Sequence, residues 1–194
     1  MPLATQQPLL ADTSPFCRFA ESGICEVLVD YLDDRLHLTT WVIAELEHRA
    51  RLPAHASLRT LEEREPPWVQ NPAVALTDAE LKRADVLATG WSSLQQRRSG
   101  VQRDPRANLG EATTLVAAER NKWGVILDEG KARTYAVGRG LVVLSTQDLV
   151  VEMASAGILT EKRALLIYKR VYRDASPEQF DAAVQAARTE VAGT

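Results

Sequence analysis

The sequence predicts an α/β protein with a central parallel sheet of about five short strands between layers of helices. Two observations carry that reading. Short apolar runs alternate along the chain with stretches of helical periodicity, as strands joined by right-handed helical crossovers require. Several runs also pass directly into a helix-starting residue, so strand and helix follow each other without long loops. In such a sheet a site belongs at the carboxyl ends of the strands, where the strand order reverses.

The first strand is the apolar run 8–11, stopped at Asp12. Thr13 or Ser14 caps the next helix and Pro15 stands in its first turn; the pattern runs from Phe16 to Ala20 until 21–23 breaks it. A second helix carries Ile24, Val27, Leu28 and Tyr31 on one face. Leu36 and Leu38 alternate with polar neighbours across 35–39, a second strand. Thr40 then caps a helix to about Arg51, with Val42, Ile43 and Leu46 inward, and Pro53 closes the unit.

Residues 54–70 read as helical around Leu58 and Leu61 until Pro66 and Pro67 stop them. A short third strand is expected at 73–76, then a helix from Thr77 or Asp78 to Leu87. The polar stretch 91–108 reads as a helix end and a loop exposing Arg97, Arg98, Arg103 and Arg106. A helix at 109–122, a strand at 125–127 ending on Asp128, a helix at 131–139 and a last strand at 141–144 complete the sheet. Helices follow at 146–156, ended by Gly157, and at 161–171. A final helix from 176 carries Phe180, Val184 and Ala187 on one side. The expected division is a domain at 1–159 and a helical extension at 160–194, packed on or beside it.

With 194 residues, 45% of them hydrophobic, the chain buries a sizeable core without disulfides. A net charge of -3 lacks the basic excess that marks strong nonspecific nucleic-acid binding, although a local basic rim around an acidic site is compatible with it. Cys17 and Cys25 form no Cys-x-x-Cys pair, which argues against zinc, and both read as small buried side chains. Residues 1–7 show no leader pattern and no apolar run reaches membrane length. The expected setting is therefore cytoplasmic, with no membrane partner.

Four acids stand out by position. Asp12 and Asp128 end apolar strands, Glu45 lies one turn into the helix after the second strand, and Glu111 lies in the first turn of the helix before the strand that ends at Asp128. Carboxylates brought together repel unless a cation neutralises them, and a hard divalent ion with oxygen ligands, Mg²⁺ or Mn²⁺, suits them. Each also has a plainer reading. Asp12 caps a helix, Glu45 pairs with Arg49, Glu111 completes a capping box with Asn108, and 128–130 form a turn.

Leu10-Ala11-Asp12-Thr13-Ser14-Pro15 resembles the opening motif of PIN-domain proteins. Thr39-Thr40-Trp41-Val42-Ile43-Ala44-Glu45-Leu46 is similar to their second motif, where a helix supplies a glutamate. Leu109-Gly110-Glu111-Ala112 resembles the third, in the Gly-Glu form of one subgroup. Val125-Ile126-Leu127-Asp128-Glu129, followed by Ala132-Arg133, resembles the fourth. The likeness spans 9–159; it departs at Glu129, where many relatives have Asp, and in the long segment 54–108.

The resemblance implies a PIN-like three-layer α/β/α fold and a Mg²⁺- or Mn²⁺-dependent endoribonuclease. Many bacterial members are toxins of toxin–antitoxin pairs and form homodimers, so the implied partners are RNA, an antitoxin protein and a second copy. Asp12, Glu45, Glu111 and Asp128 would be the metal-binding acids. Thr13, Ser14 or Thr146 would position water or phosphate, unless they act as caps. Lys131 and Arg133, with the loop arginines, are candidate phosphate contacts. Trp41, Trp68, Trp91 and Trp123 suit base stacking or the core, and none is assigned to RNA. Two other readings stand beside this one: a PIN-like interaction module that does not cut, and a metal-dependent DNA nuclease. A phosphoryl-accepting receiver fits poorly, because no paired acids follow the first strand and no lysine ends the last.

Overall fold

The structure is a computed structural model that describes residues 7–55, 58–59, 71–100, 104, 108–171 and 176–192. Among these residues, four parallel strands form a sheet: β1 (Leu9–Ala11), β2 (Leu36–His37), β3 (Gly124–Ile126) and β4 (Val143–Leu144), in the order β2-β1-β3-β4. Leu9 lies opposite Leu36 on one side and Gly124 on the other, and Ile126 lies opposite Leu144. Helices α1 (Thr13–Glu21) and α2 (Cys25–Leu32) link β1 to β2. Between β2 and β3 lie α3 (Thr40–Ala50), α4 (Asp78–Ser99) and α5 (Leu109–Asn121). Helix α6 (Gly130–Gly138) joins β3 to β4, and α7 (Thr146–Ser155), α8 (Glu161–Val171) and α9 (Pro177–Ala192) follow.

Strand side chains alternate between two buried faces, as a sheet covered on both sides demands. Leu9, Ala11, Ile126 and Leu144 join a core with Phe16, Leu28, Val42, Val150 and Phe180. Leu10, Val125 and Leu127 face the other way, onto Ala84, Trp91, Leu115 and Ala132. From β1 the chain moves outward to β2 and then returns across β1 to reach β3. The order therefore reverses between β1 and β3, and the residue that leaves β1 at this point is Asp12. No helix among the described residues is long and apolar enough to cross a membrane.

The sheet differs from expectation at one edge. The expected strand at 73–76 is a single parallel bridge, Thr39 with Val74, in which the Val74 N–H donates to the Leu38 carbonyl at 2.8 Å. Pro72 offers no N–H before it, and Thr77 turns at once into a capping box with Glu80, so no room remains for a ladder. Helix α4 in turn runs well past Leu87. Ala84, Ala88 and Trp91 keep its buried stripe going, and Gly100, at φ 67°, ends it in the left-handed conformation. Thr39 rather than Thr40 caps α3, its hydroxyl accepting from the Val42 N–H at 3.3 Å.

Candidate functional site

At the carboxyl end of β1 a cavity of about 230 Å³ opens between α1, α3 and the start of α5. Asp12, Glu45 and Glu111, three of the four expected acids, line it, as do Thr13 and Ser14. Its volume falls below the roughly 300–1,000 Å³ of pockets that enclose drug-sized ligands, so it suits a small charged group.

Asp12 is both cap and wall. Its Oδ2 accepts from the Ser14 N–H at 3.5 Å and the Ser14 hydroxyl at 3.2 Å, which anchors α1. Burial pushes its carboxyl up to about 6; the Thr13 and Ser14 N–H groups pull the other way, and the neighbouring Glu45 charge adds to the rise. Glu45 is held at both oxygens. Oε2 accepts from the Thr13 hydroxyl at 2.9 Å and Oε1 from Arg49 Nη2 at 3.1 Å, so the expected Glu45–Arg49 ion pair forms inside the cavity wall. Glu111 stands differently. Its Oε2 is buried with no hydrogen-bond partner, and burial, followed by the Asp12 charge, pushes the carboxyl up to about 8. The capping-box reading of Glu111 fails, because Asn108 makes no side-chain cap; its Oδ1 accepts from Lys131 Nζ at 2.6 Å instead.

Gly110 explains why the Gly-Glu pair comes as a pair. A Cβ there would stand 2.9 Å from Glu45 Oε2 and 3.1 Å from Asp12 Oδ1, so any larger residue would push at least the Glu45 carboxylate away from this approach. A hydroxyl pair, Thr39 to Thr113 at 3.2 Å, ties α3 to α5 just behind.

The fourth acid does not line the cavity. β1 and β3 end side by side, with the Asp12 N–H donating to the Ile126 carbonyl at 3.2 Å. The Asp128 carboxylate, however, accepts from the Thr146 N–H at 2.8 Å and its hydroxyl at 2.7 Å, which turns it toward α7. Thr146 is thereby fully buried as the partner of Asp128. Lys131 is pinned by Asn108, by Glu129 at 3.5 Å and over the Trp91 ring at 5.7 Å, and its charge opposes the rise at Glu111. Arg133 pairs with Asp148 at 3.8 Å, away from the acids. Trp123 is stacked on His37 at 4.1 Å, Trp91 is buried, and Trp41 is 40% exposed. Arg97 is exposed on α4, whereas Arg103, Arg106, Trp68 and the side chain of Arg98 lie outside the described residues.

Several lining residues escaped the sequence reading: Cys17, Arg18, Glu21 and His55. Arg18 and Glu21 follow Ser14 by four and seven residues, a helical spacing that puts them on its face. His55 carries no such signal. Burial pushes the Cys17 thiol up to about 11, so at neutral pH it is a neutral group and not a thiolate ligand.

Among the described residues, no group of three or more His, Cys, Asp or Glu side chains is arranged to hold a metal ion. The donors that remain are carboxylate and hydroxyl oxygens and the His55 imidazole, with one oxygen of Glu111 and Nδ1 of His55 lacking any partner. The hard oxygens among them are the donor type that Mg²⁺ and Mn²⁺ take, and Mg²⁺ is commonly bound through one or two carboxylates plus waters rather than in an all-protein cage. No protein-family model, curated protein or solved structure matches this chain.

Proposed function

We propose that this protein is a divalent-metal-dependent endoribonuclease with a PIN-like fold, hydrolysing RNA phosphodiester bonds at the cavity beside β1. One observation carries the reading: carboxylates from β1–α1, α3 and α5 converge on a small polar cavity, and a glycine keeps their meeting point clear. Asp12 and Glu111 would hold Mg²⁺ or Mn²⁺ together with waters, and Glu45 would reach it only through a bound water. When bound, such an ion supplies a water of lowered pKa and a counter-charge for the phosphate and the leaving oxygen. The protein's own part is to fix the acids: Ser14 orients Asp12, Thr13 orients Glu45, and Lys131 favours the charged form of Glu111. Asp128 acts from behind, holding the start of α7 through Thr146. The choice of RNA over DNA, a toxin's role with an antitoxin partner, and homodimer formation rest on the resemblance in motif order alone.

The test is cleavage of matched single-stranded RNA and DNA across a Mn²⁺ titration. Wild type should cut RNA only with metal. Asp12→Asn, which keeps a good cap, and Gly110→Ala, which fills the meeting point, should each lose at least about 100-fold while melting within a few degrees of wild type. A second reading, a non-cutting interaction module, is favoured by the absence of a three-ligand group among the described residues and by the engagement of Asp128 with Thr146. Metal-bearing protein that leaves both substrates intact, or cleavage indifferent to Asp12→Asn, would establish that alternative or a contaminant.

A further inference from the structure

The cavity that holds the acids has a second side, lined by basic residues. Arg18 of α1, Arg49 of α3 and His55, just beyond α3, all line it. Glu21 stands between two of them, with Oε2 at 3.7 Å from Arg18 Nη1 and Oε1 at 3.4 Å from His55 Nε2. Both guanidinium side chains are 42% exposed and each meets its carboxylate through a single nitrogen. Exposed pairs of this kind add little to stability, so an incoming anion displaces them at little cost. His55 is the fixed part of this wall. Its side chain is 8% exposed, its Nδ1 has no hydrogen-bond partner, and Glu21 fixes the ring from the other side.

Resting on the nuclease reading, we infer that Arg18, Arg49 and His55 form a subsite for a second phosphate of the strand, next to the one at the carboxylates. A guanidinium matches phosphate as a planar fork of donors, which a lysine does not reproduce. The described lining holds no Phe, Tyr or Trp on which a base would stack, so the contact is with the backbone and carries no sequence information. The substrate class is therefore a continuous single strand, engaged through successive phosphodiesters, rather than a mononucleotide or a chain end.

The experiment is fluorescence anisotropy with a labelled 12-nucleotide single-stranded RNA in Ca²⁺ buffer, recovered intact afterwards, over a series of KCl concentrations. Each phosphate contact to a single strand adds about 0.7 to the slope of log K against log salt. The Arg18→Gln/Arg49→Gln protein should lose about 1.4 from that slope and bind roughly tenfold more weakly at low salt. Arg18→Lys/Arg49→Lys should keep the slope. A control, Lys162→Gln/Arg163→Gln at exposed positions of α8, removes the same charge elsewhere and should change neither. Equal slopes for wild type and the α1/α3 variant, or an equal loss in the control, would overturn the subsite while leaving the nuclease reading intact. Failure of the wild type to bind the strand at all would sink both.

Discussion

Because burial lifts the Glu111 carboxyl from 4.5 to about 8 and that of Asp12 from 3.8 to about 6, the folded protein near pH 6 keeps protons that the unfolded chain has released. Where the native state binds more protons than the unfolded one, stability falls as pH rises. The contribution of these two groups is thus complete below their ordinary values and is lost as pH climbs through about 6 and then 8. Glu111→Gln removes the larger part, and with it the repulsion that the Asp12 charge exerts at this position. The variant should melt close to wild type at pH 5. At pH 8.5 it should melt roughly 5 °C higher, a gain on the order of 2 kcal/mol. Thermal melts at the two pH values check this, and parallel curves for the two proteins would show that the buried oxygen of Glu111 is not strained by its charge. Added Mn²⁺ should raise the wild-type midpoint at pH 8.5 more than that of the variant, since metal and proton compete for the same oxygens.

At the scale of elements, the site exists because three helix starts meet at one strand end, and Thr39 does much to register two of them. Its hydroxyl caps α3 and meets Thr113 of α5, so one fully buried atom links the helix carrying Glu45 to the helix carrying Glu111. Thr39→Val keeps the shape and removes both bonds. It should cost about 1–2 kcal/mol, or some 2–8 °C in the melting midpoint, and an unchanged midpoint would mean that the two helices register through packing alone. Much of this arrangement was legible beforehand. The run before Asp12 is apolar and short, as a strand buried on both faces must be, and the spacing of Val42 and Leu46 gave the inward face of α3. Where reading failed, composition and geometry pulled apart. Gln95 and Arg97 made the end of α4 look like a loop, although Ala84, Ala88 and Trp91 continue its buried stripe beneath them. The direction of Asp128 is set by Thr146, eighteen residues on, and the approach of His55 to Glu21 crosses three elements. Neither follows from local periodicity.

For the molecule as a whole, the question is whether the chain beyond 160 is an appendage or part of the body that carries the site. α9 packs on α7 and α8, and α7 begins at the residue that grips Asp128. Phe180 and Val184 are buried in the same apolar cluster as Leu9 and Ala11 of β1, and the Phe180 ring meets Tyr168 edge-on at 5.1 Å between centroids. A fully buried phenylalanine replaced by alanine loses both its transfer free energy and its packing, typically about 3–5 kcal/mol, a large share of the roughly 5–15 kcal/mol that holds a domain together. Phe180→Ala should therefore lower the melting midpoint of the entire protein by about 6–20 °C while leaving a single transition, because the cluster it perforates includes the central strand. Circular dichroism reads the helices, and tryptophan fluorescence, in a background where Trp41, Trp68 and Trp123 are replaced by Phe, reads Trp91 in the cluster on the opposite face of the sheet. Coincident curves from the two probes would make α9 integral to one cooperative unit. A small early loss of helix, followed by a tryptophan transition at the wild-type temperature, would instead mark 176–192 as an extension that melts by itself.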